Sequence, residues 1–298
     1  MKRAWQVLVP RAIATVTVVI AAPAYFGAAQ CNTQRPAPAT AHRTSNAHSS
    51  VYSLEHILRD LDDERDLGSP DLSASYNIAA AAAFRHPDDA GALWRAARAA
   101  YDLSQQQMPS MTSAQKRELL LYAQSQLNAA KQLAAGRASN DVYRWAGMVL
   151  EALSATTSTT EYIKNSFVVR DEWRTAIAID PADAAAQHLL GRWHLSVAET
   201  PSWKRAIAGA LFAEPPTATF DEALQYFMRA EELSPNFWIA NQRCLGQTEL
   251  RLGNRSAAAQ WLASAARLPV RSADDRVEHD AAMQLLRAAD ASLVRACR

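Results

Sequence analysis

The chain has 298 residues, enough to bury a large core in one elongated domain or in two compact ones. Alanine swells the 49% hydrophobic fraction and only 9 residues are glycine, a composition that favours helices, and no segment reads as a strand. A net charge of +1 argues against a globally basic nucleic-acid binder; Cys31, Cys244 and Cys297 are too few and too scattered for a disulfide framework or a zinc pattern, which fits a reducing compartment.

The first segment, residues 1–30, stands apart. No Asp or Glu precedes Glu55, while Lys2, Arg3 and Arg11 are basic. Ala12 to Ala29 reads AIATVTVVIAAPAYFGAA, about the minimum length of a membrane span. A secretory signal, a mitochondrial presequence and an uncleaved anchor all fit this pattern. Residues 31–50 read as a polar, disordered linker rich in Pro, Ser and Thr.

From residue 51 to 298 the pattern is helical hairpins. VYSLEHILRDLDDERD puts Leu54, Ile57, Leu58 and Leu61 on one face, and Ser69-Pro70 reads as the start of a partner helix ending near Phe84. The next helix carries Leu93, Trp94, Ala97 and Tyr101 on one face. Its partner opens on a capping box, Thr112 with Gln115, and stops at Gly136. A third pair starts near Val142 and near Ser158, where STTE is a further capping box.

The last part of the chain carries an explicit repeat. FDEALQYFMRAEELSP supplies Ala223, Phe227, Ala230, Leu233 and Pro235 at tetratricopeptide offsets. Leu190-Gly191 and Leu245-Gly246 belong to first helices, and Ala258, Leu262 and Ala265 to a second helix that closes near Pro269. Small residues let two antiparallel helices approach, and large ones fill the groove to the next hairpin. A helix from about Ala273 to Val294 would cover the open end. The expected fold is all-α: a tetratricopeptide-like right-handed superhelix of five degenerate hairpins, with one interrupted repeat and a C-terminal capping helix.

No phosphate loop and no nucleophile elbow is present, so no enzyme, cofactor or metal is expected. His188 and His194 are six apart and do not stack as a metal pair; they read as packing or surface residues. Asp62, Asp63 and Glu64 read as a solvated helix face, and Cys244 as a buried, inert thiol.

The interruption is AETPSWKRAIAGALFAEPPTATF, Ala198 to Phe220. Thr200 and Pro201 would open a short helix that places Trp203, Ile207 and Leu211 on one stripe. Pro215-Pro216 end it, and Thr219 with Glu222 is a capping box for re-entry. Trp203, Ile207, Leu211 and Phe212 are candidates for a lid over the concave groove, or a plug within it. Lys204 and Arg205 fall in a first helical turn, where the macrodipole disfavours cations. With Arg192 and Arg174 they are the candidate anion contacts.

The stretches LWRAARAAYDLS, IKNSFVVRDEWRTAIAIDP, HLLGRW and AAQWLASAARLP, together with the interrupted repeat containing IAGALFAEPP, resemble the regulator of microtubule dynamics family. The resemblance covers about Val51 to Ala289. It implies a tetratricopeptide-like scaffold that associates with microtubules and spindle structures, and for several members a mitochondrial location. One branch of the family is anchored on the mitochondrial outer membrane and is implicated in tethering and phospholipid binding. Two function classes follow: a scaffold recognising an acidic surface such as a tubulin tail, and a phospholipid-binding or membrane-contact module. The resemblance tips the N-terminal alternatives toward a mitochondrial anchor or presequence, with a cytoplasmic, cytoskeletal or spindle location as the alternative.

Overall fold

The computed structural model describes residues 53–66, 71–106, 111–200, 209 and 217–296, with side chains to residue 289. Twelve helices occupy them, and no strand occurs among the described residues. They are α1 (Leu54–Asp66), α2 (Leu72–Arg85), α3 (Ala90–Gln105), α4 (Ser113–Gln132), α5 (Ala134–Arg137) and α6 (Asn140–Ser154). There follow α7 (Thr159–Ile179), α8 (Ala184–Ala198), α9 (Phe220–Leu233), α10 (Ile239–Leu252), α11 (Arg255–Ala265) and α12 (Ala273–Ala296).

Local chemistry sets most of the starts. Asp89, Ser158 and Asp183 each accept a backbone N–H three residues on, from Ala92, Glu161 and Ala186. Thr112 with Gln115 and Thr219 with Glu222 form reciprocal capping boxes. Each such cap contributes about 1 kcal/mol. Two expectations shift. The residue that caps α2 is Asp71, whose side chain accepts from the amides of Ser73 and Ala74; Ser69 and Pro70 lie outside the described residues. Gly136 does not end α4. That helix stops at Gln132, and Gly136 sits in the short α5, where a Cβ would lie 1.9 Å from the Ala130 carbonyl oxygen.

The helices stack as antiparallel pairs: α3 with α4, α6 with α7, α8 with α9, and α10 with α11. The first pair is looser, because α2 packs mainly on α3. One contact recurs inside three hairpins. Gly147 faces Trp173, Gly191 faces Phe227 and Gly246 faces Leu262, each so closely that a Cβ would come within 3.0 Å of the partner side chain. The three partners are fully buried, which contributes roughly 1.5–3 kcal/mol for a side chain such as Phe227 or Leu262. The interruption lies between α8 and α9 and leaves Gly191 against Phe227. It is therefore an excursion within one hairpin, and the stacking continues through it.

The main core runs from Leu61 through Trp94, Tyr101, Trp145 and Trp173 to Trp193. At the other end α12 covers α10 and α11, with Ala282, Leu285 and Leu286 packed around Ile239, Leu262 and Ala265. Asp62 departs from the solvated face expected of it. Its carboxylate takes Arg95 at 2.7 Å and Arg98 at 2.8 Å, and Arg98 also donates to the Leu61 carbonyl. Arg65 pairs with Asp102 at 2.9 Å and lies over the Trp145 ring. Charge and stacking, as well as apolar contact, dock α1 onto the stack.

Candidate binding groove

The first helices of successive hairpins, α3, α6, α8 and α10, run along one face of the stack, the face that helical-repeat proteins use for binding. Polar side chains link these helices. The Arg192 guanidinium on α8 lies 3.9 Å from the Glu151 carboxylate on α6 and is largely buried. At the end of α8, Glu199 accepts from Gln247 at 3.0 Å and from Arg251 at 2.7 Å, both on α10. Arg243 then joins α10 to Glu278 on α12.

His188 is buried behind this row. Its Nδ1 lies 3.0 Å from Asn241 Oδ1, and its ring packs on Phe227 and Trp238 at 5.5 Å each. Burial, reinforced by the Arg192 charge, pushes its pKa down to about 3, so the ring is neutral at ordinary pH. His194 projects elsewhere on α8, between Trp193 and Tyr226, with Nδ1 3.5 Å from Glu222. Burial lowers its pKa first; Glu222 opposes that, and the charges of Arg174 and Arg170 add to it. Both histidines are packing residues, as the spacing suggested.

The two described members of the candidate anion set therefore serve different neighbourhoods. Arg192 belongs with Glu151 and His188, whereas Arg174 is an exposed side chain of α7 whose charge is felt at His194. Lys204 and Arg205, and the lid candidates Trp203, Ile207, Leu211 and Phe212, lie outside the described residues. Their flanks are defined. Thr200 donates its hydroxyl back to the Ser196 carbonyl just past the end of α8, and the short helix expected after it lies outside the described residues. Ala218 packs on the main core just before Thr219 caps α9.

Among the described residues no group of three His, Cys, Asp or Glu could hold a metal. Cys244 is fully buried, and burial raises its thiol pKa. No described helix is long and apolar enough to cross a membrane. Sequence reasoning missed two polar features. In one, Glu231 accepts from Asn241, from Gln242 and from the amide of Asn236, pinning Asn236 at φ 56. The only legible signal was SPN between two helices. The other is a pocket of about 280 Å³ at the ends of three hairpins, lined by Asp141, Arg144, Asp180, Asp183 and Trp238 among others. The sequence scatters these residues over three turns.

Residues 57–290 match the family model described as "Regulator of microtubule dynamics protein 1-3". The chain is 33% identical over 242 residues to Regulator of microtubule dynamics protein 1 of Bos taurus, covering 81% of this chain and 74% of that one. It is 36% identical to the protein of that name from Mus musculus, covering 68% and 65%. It is 32% identical to Regulator of microtubule dynamics protein 3 of Xenopus laevis, covering 62% of this chain but 39% of that one. Among solved structures, a thermophilic TPR protein of Thermus thermophilus superposes with a TM-score of 0.54 at 17% identity, over 78% of this chain and all of that one. That likeness shows the tetratricopeptide-like fold.

Proposed function

This chain belongs to the regulator of microtubule dynamics family, and we propose that it is a non-catalytic helical scaffold that associates with microtubules along the face built from α3, α6, α8 and α10. The observation that carries the reading is the family match over residues 57–290, which takes in nearly the whole repeat domain. The partner chemistry proposed is an acidic protein surface such as a tubulin tail. Lys204 and Arg205 in the α8–α9 excursion would meet it, with Arg192 deeper on the face, whereas Arg174, exposed on α7, stands off that face. Exposed charges of this kind contribute less than about 1 kcal/mol each but steer association, so binding should weaken steeply with salt.

Microtubule co-sedimentation across a salt series tests this. Reversing Lys204 and Arg205 to Glu should reduce the pelleted fraction several-fold, while Leu211→Asp should leave it nearly unchanged. The opposite ranking in a liposome-extraction assay would establish the phospholipid alternative, in which Trp203, Ile207, Leu211 and Phe212 line an acyl site. If neither variant changes either assay, the excursion is a structural plug. The mitochondrial location rests on the acid-free, basic start and its apolar stretch. Imaging a fusion lacking Met1 to Ser50 decides it, since unchanged mitochondrial targeting would refute the idea.

A further inference from the structure

The N-terminus of α6, the α7–α8 turn and the α9–α10 turn together enclose the 280 Å³ pocket noted above. That is below the usual size of a drug-like ligand site and suits one side chain. Two kinds of wall meet in it. Phe237 and Trp238 form an aromatic pair with centroids 5.6 Å apart. Asp141, Asp180 and Asp183 contribute carboxylates, and among the described residues Arg144 is the one basic side chain lining it. Arg144 is 5% exposed and is held by Asp141 and by Asp183, the latter at 2.6 Å. Asp183 is saturated further by Asn140 and by the Ala186 amide.

Asp180 is different. One of its oxygens accepts the Ala182 amide at 2.9 Å, and the ion pairs of the described residues do not include it. The pocket thus carries an excess of negative charge beside aromatic faces, and both attract a cation. Arg144 is already committed to Asp141 and Asp183, so it does not neutralise Asp180.

We propose that this pocket receives a lysine or arginine side chain of a partner protein, with the cation held between the Trp238 ring and the Asp180 carboxylate. The pocket opens at the beginnings of α6, α8 and α10, three of the helices that form the binding face, so an extended segment on that face delivers a side chain to it. The inference rests on that face binding a protein segment and does not require the partner to be tubulin.

The test uses the full chain with 5-fluorotryptophan and fluorine NMR, the Trp238 resonance being assigned by Trp238→Phe. The probe is acetyl-arginine methylamide, which carries a guanidinium and two carbonyls; acetyl-norleucine methylamide is the control. The arginine probe should shift the Trp238 resonance saturably, and the norleucine probe should not. Asp180→Asn keeps the acceptor for the Ala182 amide and should weaken binding about fivefold, the worth of one exposed charge pair. Ala182→Lys, at an exposed position on the pocket edge, should weaken it at least as much and guards against a folding defect in the first variant. A non-saturable shift, an equal response to norleucine, or unchanged affinity in both variants overturns the proposal. Because no microtubule is present, failure here leaves the family-based reading untouched.

Discussion

Replacing Gly147 with alanine probes the contact on which the hairpins are built. A Cβ at that position would stand 2.3 Å from Nε1 of Trp173 and 2.7 Å from Cδ1. Trp173 is fully buried, and its indole N–H donates to the Arg144 carbonyl at 3.2 Å, so the ring has no room to swing aside. Three effects compete. Alanine is about 1 kcal/mol better than glycine inside a helix. Overpacking a tight core costs about 1–3 kcal/mol. Displacing the indole leaves a buried donor unmatched, at about 1–3 kcal/mol. The losses win, and the net destabilisation should be roughly 2–4 kcal/mol. Urea denaturation followed by circular dichroism should show a lower midpoint with the slope unchanged. Trp173→Phe, which removes Nε1 and shrinks the ring, should rescue part of the loss. The double variant should be at least about 1 kcal/mol more stable than the sum of the single losses. Simple addition, or a Gly147→Ala protein within about 0.5 kcal/mol of the parent, would refute the reasoning.

Three further outcomes are expected. Asp62→Asn removes the carboxylate that holds Arg95 and the buried Arg98, and should weaken the docking of α1 by about 2–3 kcal/mol; hydrogen exchange should speed in α1, and unchanged protection there would contradict the assignment. His188 has a folded pKa near 3, below the unfolded value, so its contribution is fully present above about pH 6.5 and is lost as pH falls. Between pH 6.5 and 5 a His188→Gln variant should therefore lose about 2 kcal/mol less stability than the parent, and identical losses in urea titrations would count against the burial argument. Cys244, buried with its thiol pKa raised, should resist iodoacetamide in the native chain and react on unfolding, as peptide mass spectrometry would show.

Much of this architecture was legible because it is written in local terms. Thr112 with Gln115, Ser158 and Thr219 with Glu222 cap helices through bonds to amides only three residues away. Gly191, Gly246, Phe227 and Leu262 recur at offsets that one hairpin geometry demands. Reading failed at Asp62 because its contacts come from far along the chain, and at Gly136 because a close local approach looked like a stop signal. Asp62 looked solvated beside Asp63 and Glu64 until α3 brought Arg95 and Arg98 against it. Gly136 looked like a helix stop, whereas its lack of a side chain is required by the Ala130 carbonyl of the preceding turn.

The candidate site divides in the same way. Arg174 and Arg192 could be nominated by charge, but only the stack shows that one sits exposed on α7 while the other faces Glu151 across two hairpins. Asp180, Arg144 and Trp238 carry no motif, because a pocket between three turns has no sequence period. The sequence alone determined that the chain is a helical repeat, where several of its helices begin, and which small residues admit which large ones, since those depend on spacing within a hairpin. Which charges are buried, which are paired and which line a pocket was decided by the tertiary structure, because successive hairpins bring together side chains that lie tens of residues apart.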